Sequence, residues 1–124
     1  MTDILLWIYL INAILLINHE IDSAYWQEWN LFRLPGGITL FLIIHFPMLF
    51  FVLYGLILIS RNAFAGLIIS LLLSFSGIFA FVIHMVFIKK GRTEFKLPVS
   101  LFILFATLLV SVIQGIVTLY LLFR

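Results

Sequence analysis

Four apolar stretches, each long enough to cross a lipid bilayer as an α-helix, constrain the fold of this chain most strongly. They lie at about 4–22, 38–59, 63–88 and 98–123. A transmembrane helix needs about 20 mostly apolar residues, whereas apolar runs of about 10 to 14 are more typical of buried soluble helices. Of the 124 residues, 65% are hydrophobic and only 10% are charged, so lipid is the solvent for most of the fold. The sequence predicts an all-α integral membrane four-helix bundle.

The segments between the spans are short, so we expect one transmembrane domain over residues 1–124. The sequence LPGG, residues 34–37, breaks the chain before the second span because proline lacks a backbone donor and glycine adds backbone freedom. Just before it, apolar and aromatic side chains recur at helical spacing with polar residues between them: Ile21, Tyr25, Trp29 and Phe32. This pattern predicts a short interfacial amphipathic helix at about 23–33.

Basic residues are concentrated on one side of the predicted bundle. The two longer loops contain Arg33, Lys89, Lys90, Arg92 and Lys96, whereas the opposite side has only Arg61 and Arg124. Because cytoplasmic loops carry an excess of Lys and Arg, both termini are predicted to lie outside the cytoplasm. The positive charge is thus explained by membrane topology and the lipid bilayer, and we expect no nucleic-acid partner.

All three histidines are predicted to lie in the same leaflet. His19 closes the first span beside Glu20 and Asp22. Counted from the same side by helical rise, His45 lies about 12 Å into the second span and His84 about 6 to 8 Å into the third. Ionisable residues inside a membrane are costly and are commonly functional, so this clustering indicates a site.

The clustered side chains offer ligands for a transition metal. The predicted ligands are His19, Asp22, His45 and His84, which supply nitrogen and oxygen donors from three helices and suit zinc or iron best. Glu20 would then be the catalytic residue, a general base in a metal-dependent reaction on a membrane-soluble substrate. The sequence leaves open whether the protein is an enzyme and whether Glu20 or Asp22 faces the cluster.

Other functions fit the same residues. The protein would be a non-enzymatic accessory or structural subunit, or a small transporter, if the cluster relays protons or ions. A b-type haem with His45 and His84 as axial ligands is a minor alternative. Glu28 is interpreted as a solvated residue of the interfacial helix.

Two stripes of small and polar residues predict how the last two spans meet. The third span carries Gly66, Ser70, Ser74, Gly77 and His84 on one face, and the fourth carries Ser100, Thr107, Ser111, Gln114 and Thr118. Burying these faces together satisfies hydroxyl and amide groups that hydrocarbon would leave unpaired. Such stripes also offer an interface for a homo-oligomer or a membrane partner protein.

The block HEIDSAYWQEW, His19 to Trp29, is followed by LPGG and a second span that contains a histidine. In these features the chain resembles a family of small, uncharacterised four-helix bacterial membrane proteins. The resemblance covers most of the chain and implies the same architecture in a bacterial cytoplasmic membrane. It implies no activity, cofactor or catalytic residue.

Overall fold

The computed structural model describes residues 3–91 and 97–124, and this part of the chain is helical without any strand. The helices are α1 (Asp3–Tyr25), α2 (Glu28–Leu31), α3 (Gly37–Ser60), α4 (Phe64–Lys89) and α5 (Pro98–Phe123). The four long helices are each long and apolar enough to cross a membrane. This confirms the predicted all-α membrane bundle with a short helix after the first span. Arg92 and Lys96 of the predicted basic loop lie outside the described residues.

The first long helix continues past the polar residues at the end of its span, as far as Tyr25. The Asp22 carbonyl still accepts the Trp26 N–H at 3.1 Å, so helical hydrogen bonding persists to this point. Gln27 then adopts a left-handed backbone conformation with φ 53°, and α2 begins only at Glu28. Residues 23–33, predicted as one amphipathic helix, are therefore divided between the end of α1 and α2. The turn at Gln27 brings α2 into contact with both α1 and α3.

The four long helices form a ring in the order α1, α3, α4, α5, and α4 and α5 share the most extensive contact. Between α1 and α3, the Tyr9 hydroxyl donates a 2.6 Å hydrogen bond to the Val52 carbonyl. Across the ring, α1 also touches α4. This contact matters for the site because α1 and α4 carry His19 and His84.

A buried hydrogen-bond network holds α1, α4 and α5 together. The Asn12 amide donates to Gln114 Oε1 at 2.9 Å and to the Ser111 hydroxyl at 3.1 Å. The Gln114 amide in turn donates to the carbonyl and hydroxyl oxygens of Ser70, both at 3.0 Å. Both predicted stripes are buried, which confirms that their small and polar faces point into the bundle. The network satisfies amides that would be costly to leave unpaired in lipid.

Candidate metal centre

Two of the three histidines meet inside the bundle. His19 of α1 and His84 of α4 are 3% and 2% exposed. Their ring centroids are 4.7 Å apart and the rings are nearly perpendicular. His19 lies about 9 Å from the end of α1 and His84 about 7.5 Å from the end of α4, by helical rise. The pair therefore sits in the leaflet next to α2 and the loops on that side.

The carboxylate that joins these histidines is Glu28, on the short helix α2. Glu28 Oε1 lies 3.0 Å from His84 Nε2. One ligand atom from each of His19, Glu28 and His84 can be chosen so that all three lie within 4.8 Å of one another. This three-residue group combines two imidazoles and one carboxylate from three different helices.

The orientation of His84 is fixed by its own helix. Its Nδ1 lies 2.7 Å from the Ala80 carbonyl oxygen, which can only accept a hydrogen bond, so Nδ1 carries a proton. Nε2 is thus the atom that faces Glu28. Metal-binding histidines generally hold the non-coordinating nitrogen in such a bond, which sets the tautomer and the ring direction.

Glu28 is poised to be ionised. Burial would raise the pKa of its carboxyl group, but the hydrogen bond and positive charge of the neighbouring His84, with a smaller effect of His19, hold that pKa below its ordinary value. A carboxyl with a lowered pKa is a carboxylate at neutral pH, the form that binds a cation.

Sequence reasoning missed Glu28 because it treated the residue as solvated. The left-handed turn at Gln27, which returns α2 to the bundle, has no periodic signature in the sequence. The available signal was weak: Glu28 lies between Trp26 and Trp29, an acidic residue within an aromatic segment.

Glu20 and His45, both predicted site residues, form a separate pair. Glu20 Oε2 lies 2.6 Å from His45 Nε2. His45 Nδ1 donates to the Phe41 carbonyl at 2.6 Å, and its ring stacks on the Phe41 ring with centroids 3.9 Å apart. In the structure, then, both nitrogens of His45 are engaged with groups other than His19 and His84.

Asp22, predicted as the oxygen ligand, is directed towards α5. Its Oδ1 accepts hydrogen bonds from the Trp26 indole at 3.1 Å and from the Ser100 hydroxyl at 3.0 Å. The structure thus brings His19 and His84 together but places Asp22 in other contacts. The haem alternative gains no support, because the Nε2 atoms of His45 and His84 each lie beside a carboxylate.

A comparison with protein families identifies the wider group to which this chain belongs. A family model matches residues 5–121. The chain belongs to the family of unknown function DUF6713. No curated protein and no solved structure matches it. Membership of DUF6713 confirms the resemblance to an uncharacterised family, and it assigns no reaction or ligand.

Two cavities of the protein share two acidic lining residues, Glu20 and Glu28. The larger, of about 500 Å³, contains the three-residue group at one end and continues between α3 and α4. The smaller, of about 200 Å³, is lined by His45, by Leu34 and Pro35 of the loop before α3, and by Gly37 at the start of α3. Glu20 and Glu28 border both cavities. Within the three-residue group, Glu28 can therefore be approached from both cavities, whereas His19 and His84 line only the larger one.

Proposed function

We propose that this protein binds a transition metal ion through His19, Glu28 and His84. The observation that supports the proposal is the convergence of three ligand atoms from three helices within 4.8 Å of one another. Burying two imidazoles within the spans, next to a carboxylate, is costly unless these groups are paired or bind an ion. In the metal-bound state, the ion would replace the proton shared by His84 Nε2 and Glu28.

The ligand types favour iron or zinc. Two histidines and one carboxylate are the ligand set of many non-haem Fe(II) sites and of several catalytic Zn²⁺ sites, both of which keep an open coordination position. Neighbouring ligand atoms that lie about 2.0 to 2.2 Å from one ion are about 3 to 3.6 Å apart in octahedral or tetrahedral coordination. Glu28 Oε1 and His84 Nε2, 3.0 Å apart, already have this separation, and a ligand nitrogen of His19 lies within 4.8 Å of the ligand atoms of both residues.

Elemental analysis of the full-length protein purified in detergent tests this proposal. We expect the wild-type protein to contain stoichiometric metal and the His19→Ala, His84→Ala and Glu28→Gln variants to lose it, because each removes one donor. His45→Ala is the matched control. It also removes an imidazole, but one that contacts Glu20 and not the three proposed ligands, so the variant should contain as much metal as the wild type.

Two results would contradict the three-ligand site. One is a folded wild-type protein without metal after growth in iron- and zinc-supplemented medium. The other is metal loss in His45→Ala but not in Glu28→Gln, which would restore the ligand set predicted from sequence. A Soret absorption band in the same samples would support the haem alternative instead.

A metal-dependent reaction is a further step of the proposal, with Glu20 as general base. In support, Glu20 lines the same cavity as the three proposed ligands, and its carboxylate contacts the His45 imidazole. A general base must be within reach of the proton that it abstracts, and Glu20 is not one of the three proposed ligands. Glu20→Gln should therefore retain the metal, in contrast to Glu28→Gln.

The rival function is a proton or ion relay in a transporter or accessory subunit. It is favoured by the Glu20–His45 contact, because Glu20 lines both cavities and His45 lines the smaller one. A metal-free protein with an intact fold would support this function over metal binding.

The proposed orientation places the cluster in the cytoplasmic leaflet, with both termini outside. Its support is the excess of basic residues on the α2 side over Arg61 and Arg124 on the other. The chain contains no cysteine, so Arg61→Cys introduces a unique thiol. In intact cells this thiol should react with a membrane-impermeant maleimide, whereas a thiol from Lys90→Cys should react only after lysis. The reverse pattern of labelling would show that the termini lie in the cytoplasm and would contradict the proposed orientation.

A further inference from the structure

The larger cavity is a long cleft with chemically different ends. Its polar end holds His19, Glu20, Glu28 and His84, and the opposite end reaches Ile69 of α4. His84 and Ile69 are fifteen residues apart, about 22 Å by helical rise. One leaflet of a bilayer has about half of the 30 Å hydrocarbon thickness, so the cleft is long enough to hold one lipid chain.

The cleft opens sideways to the bilayer. Phe51, Leu72 and Phe79 line it and are 59%, 61% and 56% exposed. Ser76 also lines it, but its hydroxyl donates to the Leu72 carbonyl of the same helix at 2.7 Å. The wall therefore presents an apolar surface that a hydrocarbon chain can reach directly from the membrane. The volume of about 500 Å³ is within the range of about 300 to 1,000 Å³ typical of small-molecule sites.

Charge at the polar end restricts the head group. Glu20 and Glu28 place two acidic side chains at this end, and the described residues that line the cavity include no lysine or arginine. An anionic head group would therefore lie against two acidic side chains without a basic side chain to pair with. An uncharged oxygen can both approach the ion and donate or accept hydrogen bonds with the carboxylates and imidazoles.

We propose that the cleft binds a long-chain amphiphile with an uncharged oxygen-bearing head, such as a long-chain alcohol or aldehyde. Its chain lies between α3 and α4 with the head at the His19–Glu28–His84 group. This inference rests on the proposed metal centre, because the bound ion would be the partner of the head group. It specifies the class of substrate that the site would receive from the membrane.

Photolabelling of the full-length protein in phospholipid vesicles tests the cleft. The probe is a long-chain alcohol with a diazirine in its chain, and the labelled peptides are mapped by mass spectrometry. We expect saturable labelling of α4 between Leu72 and His84. Ser76→Phe fills the cleft and should reduce this labelling about tenfold, which corresponds to about 1.4 kcal/mol of binding. Ala65→Phe is the control: it introduces the same side chain at an exposed position of α4 outside the cleft. This variant should be labelled as strongly as the wild type.

Metal content is measured in every sample so that the two proposals can fail separately. Saturable labelling in metal-free protein would support the cleft and reject the metal centre. Label spread over all lipid-facing helices, and insensitive to excess unlabelled alcohol, would overturn the cleft and indicate general lipid contact only. Competition by a long-chain fatty acid as strong as that by the alcohol would overturn the uncharged head group. These competition measurements use the wild-type protein and do not depend on the folding of a variant.

Discussion

Addition of Zn²⁺ or Fe²⁺ to metal-stripped protein in detergent is expected to raise its free energy of unfolding by about 2.7 kcal/mol at about 100 times the dissociation constant. The stabilisation arises because the ligands come from α1, α2 and α4, which are held together only in the folded bundle. An ion that binds the folded but not the unfolded chain shifts the equilibrium by mass action. Thermal unfolding followed by circular dichroism measures the effect, with Fe²⁺ kept under anaerobic conditions.

Controls separate specific coordination from general ion effects. The stabilisation should be absent from the His19→Ala/His84→Ala double variant and should persist in His45→Ala. Mg²⁺ should give little stabilisation, since it prefers oxygen ligands in octahedral geometry. An unchanged melting temperature of the wild-type protein at saturating Zn²⁺ and Fe²⁺ would reject the centre.

Replacement of Gly77 by leucine is expected to lower the free energy of unfolding by about 1 to 3 kcal/mol, the usual cost of inserting extra methylene groups into a well-packed interior. A Cβ at Gly77 would collide with the Ser111 hydroxyl and come within 3.0 Å of Ser111 Cβ and 3.1 Å of Thr107 Cγ2. The Ser111 side chain is held because its hydroxyl accepts a hydrogen bond from the Asn12 amide, and the Ser111 backbone is held against α4 because its carbonyl accepts the Ser74 hydroxyl. The larger residue must therefore separate α4 from α5.

Ala65→Leu supplies the matched control for this substitution. Ala65 lies on the exposed face of α4, so leucine there adds the same bulk next to lipid and should change the unfolding free energy by less than about 0.5 kcal/mol. Both variants are compared with the wild type by thermal unfolding in the same detergent. Equal stability of Gly77→Leu and Ala65→Leu would mean that α4 and α5 are not closely packed at Gly77.

Helical periodicity explains why the bundle interior was predictable. Gly77, Ser70 and Gln114 lie on stripes set by 3.6 residues per turn, a local property that can be counted along the chain. Because hydrocarbon cannot satisfy polar side chains, such a stripe must face another helix. His19 and His84 belong to such inward faces, and the structure buries both.

The carboxylate partner depended on contacts that no local pattern encodes. Asp22 is one helical turn from His19 in sequence, yet its carboxylate bonds to Trp26 and Ser100. Glu28 is nine residues from His19, and it reaches His84 because the chain reverses at Gln27. The difference between the predicted and the observed neighbours thus comes from one backbone turn.

By itself, the sequence determined that this chain forms four apolar helices with polar inner faces, since length and hydrophobicity act on each segment separately. Only the tertiary structure decided that Glu28 lies with His19 and His84, and that Glu20 lies with His45. The physical reason is that side chains on different helices meet through the packing of whole helices and the path of the loop between them. Neither can be read from the spacing of residues within a single helix.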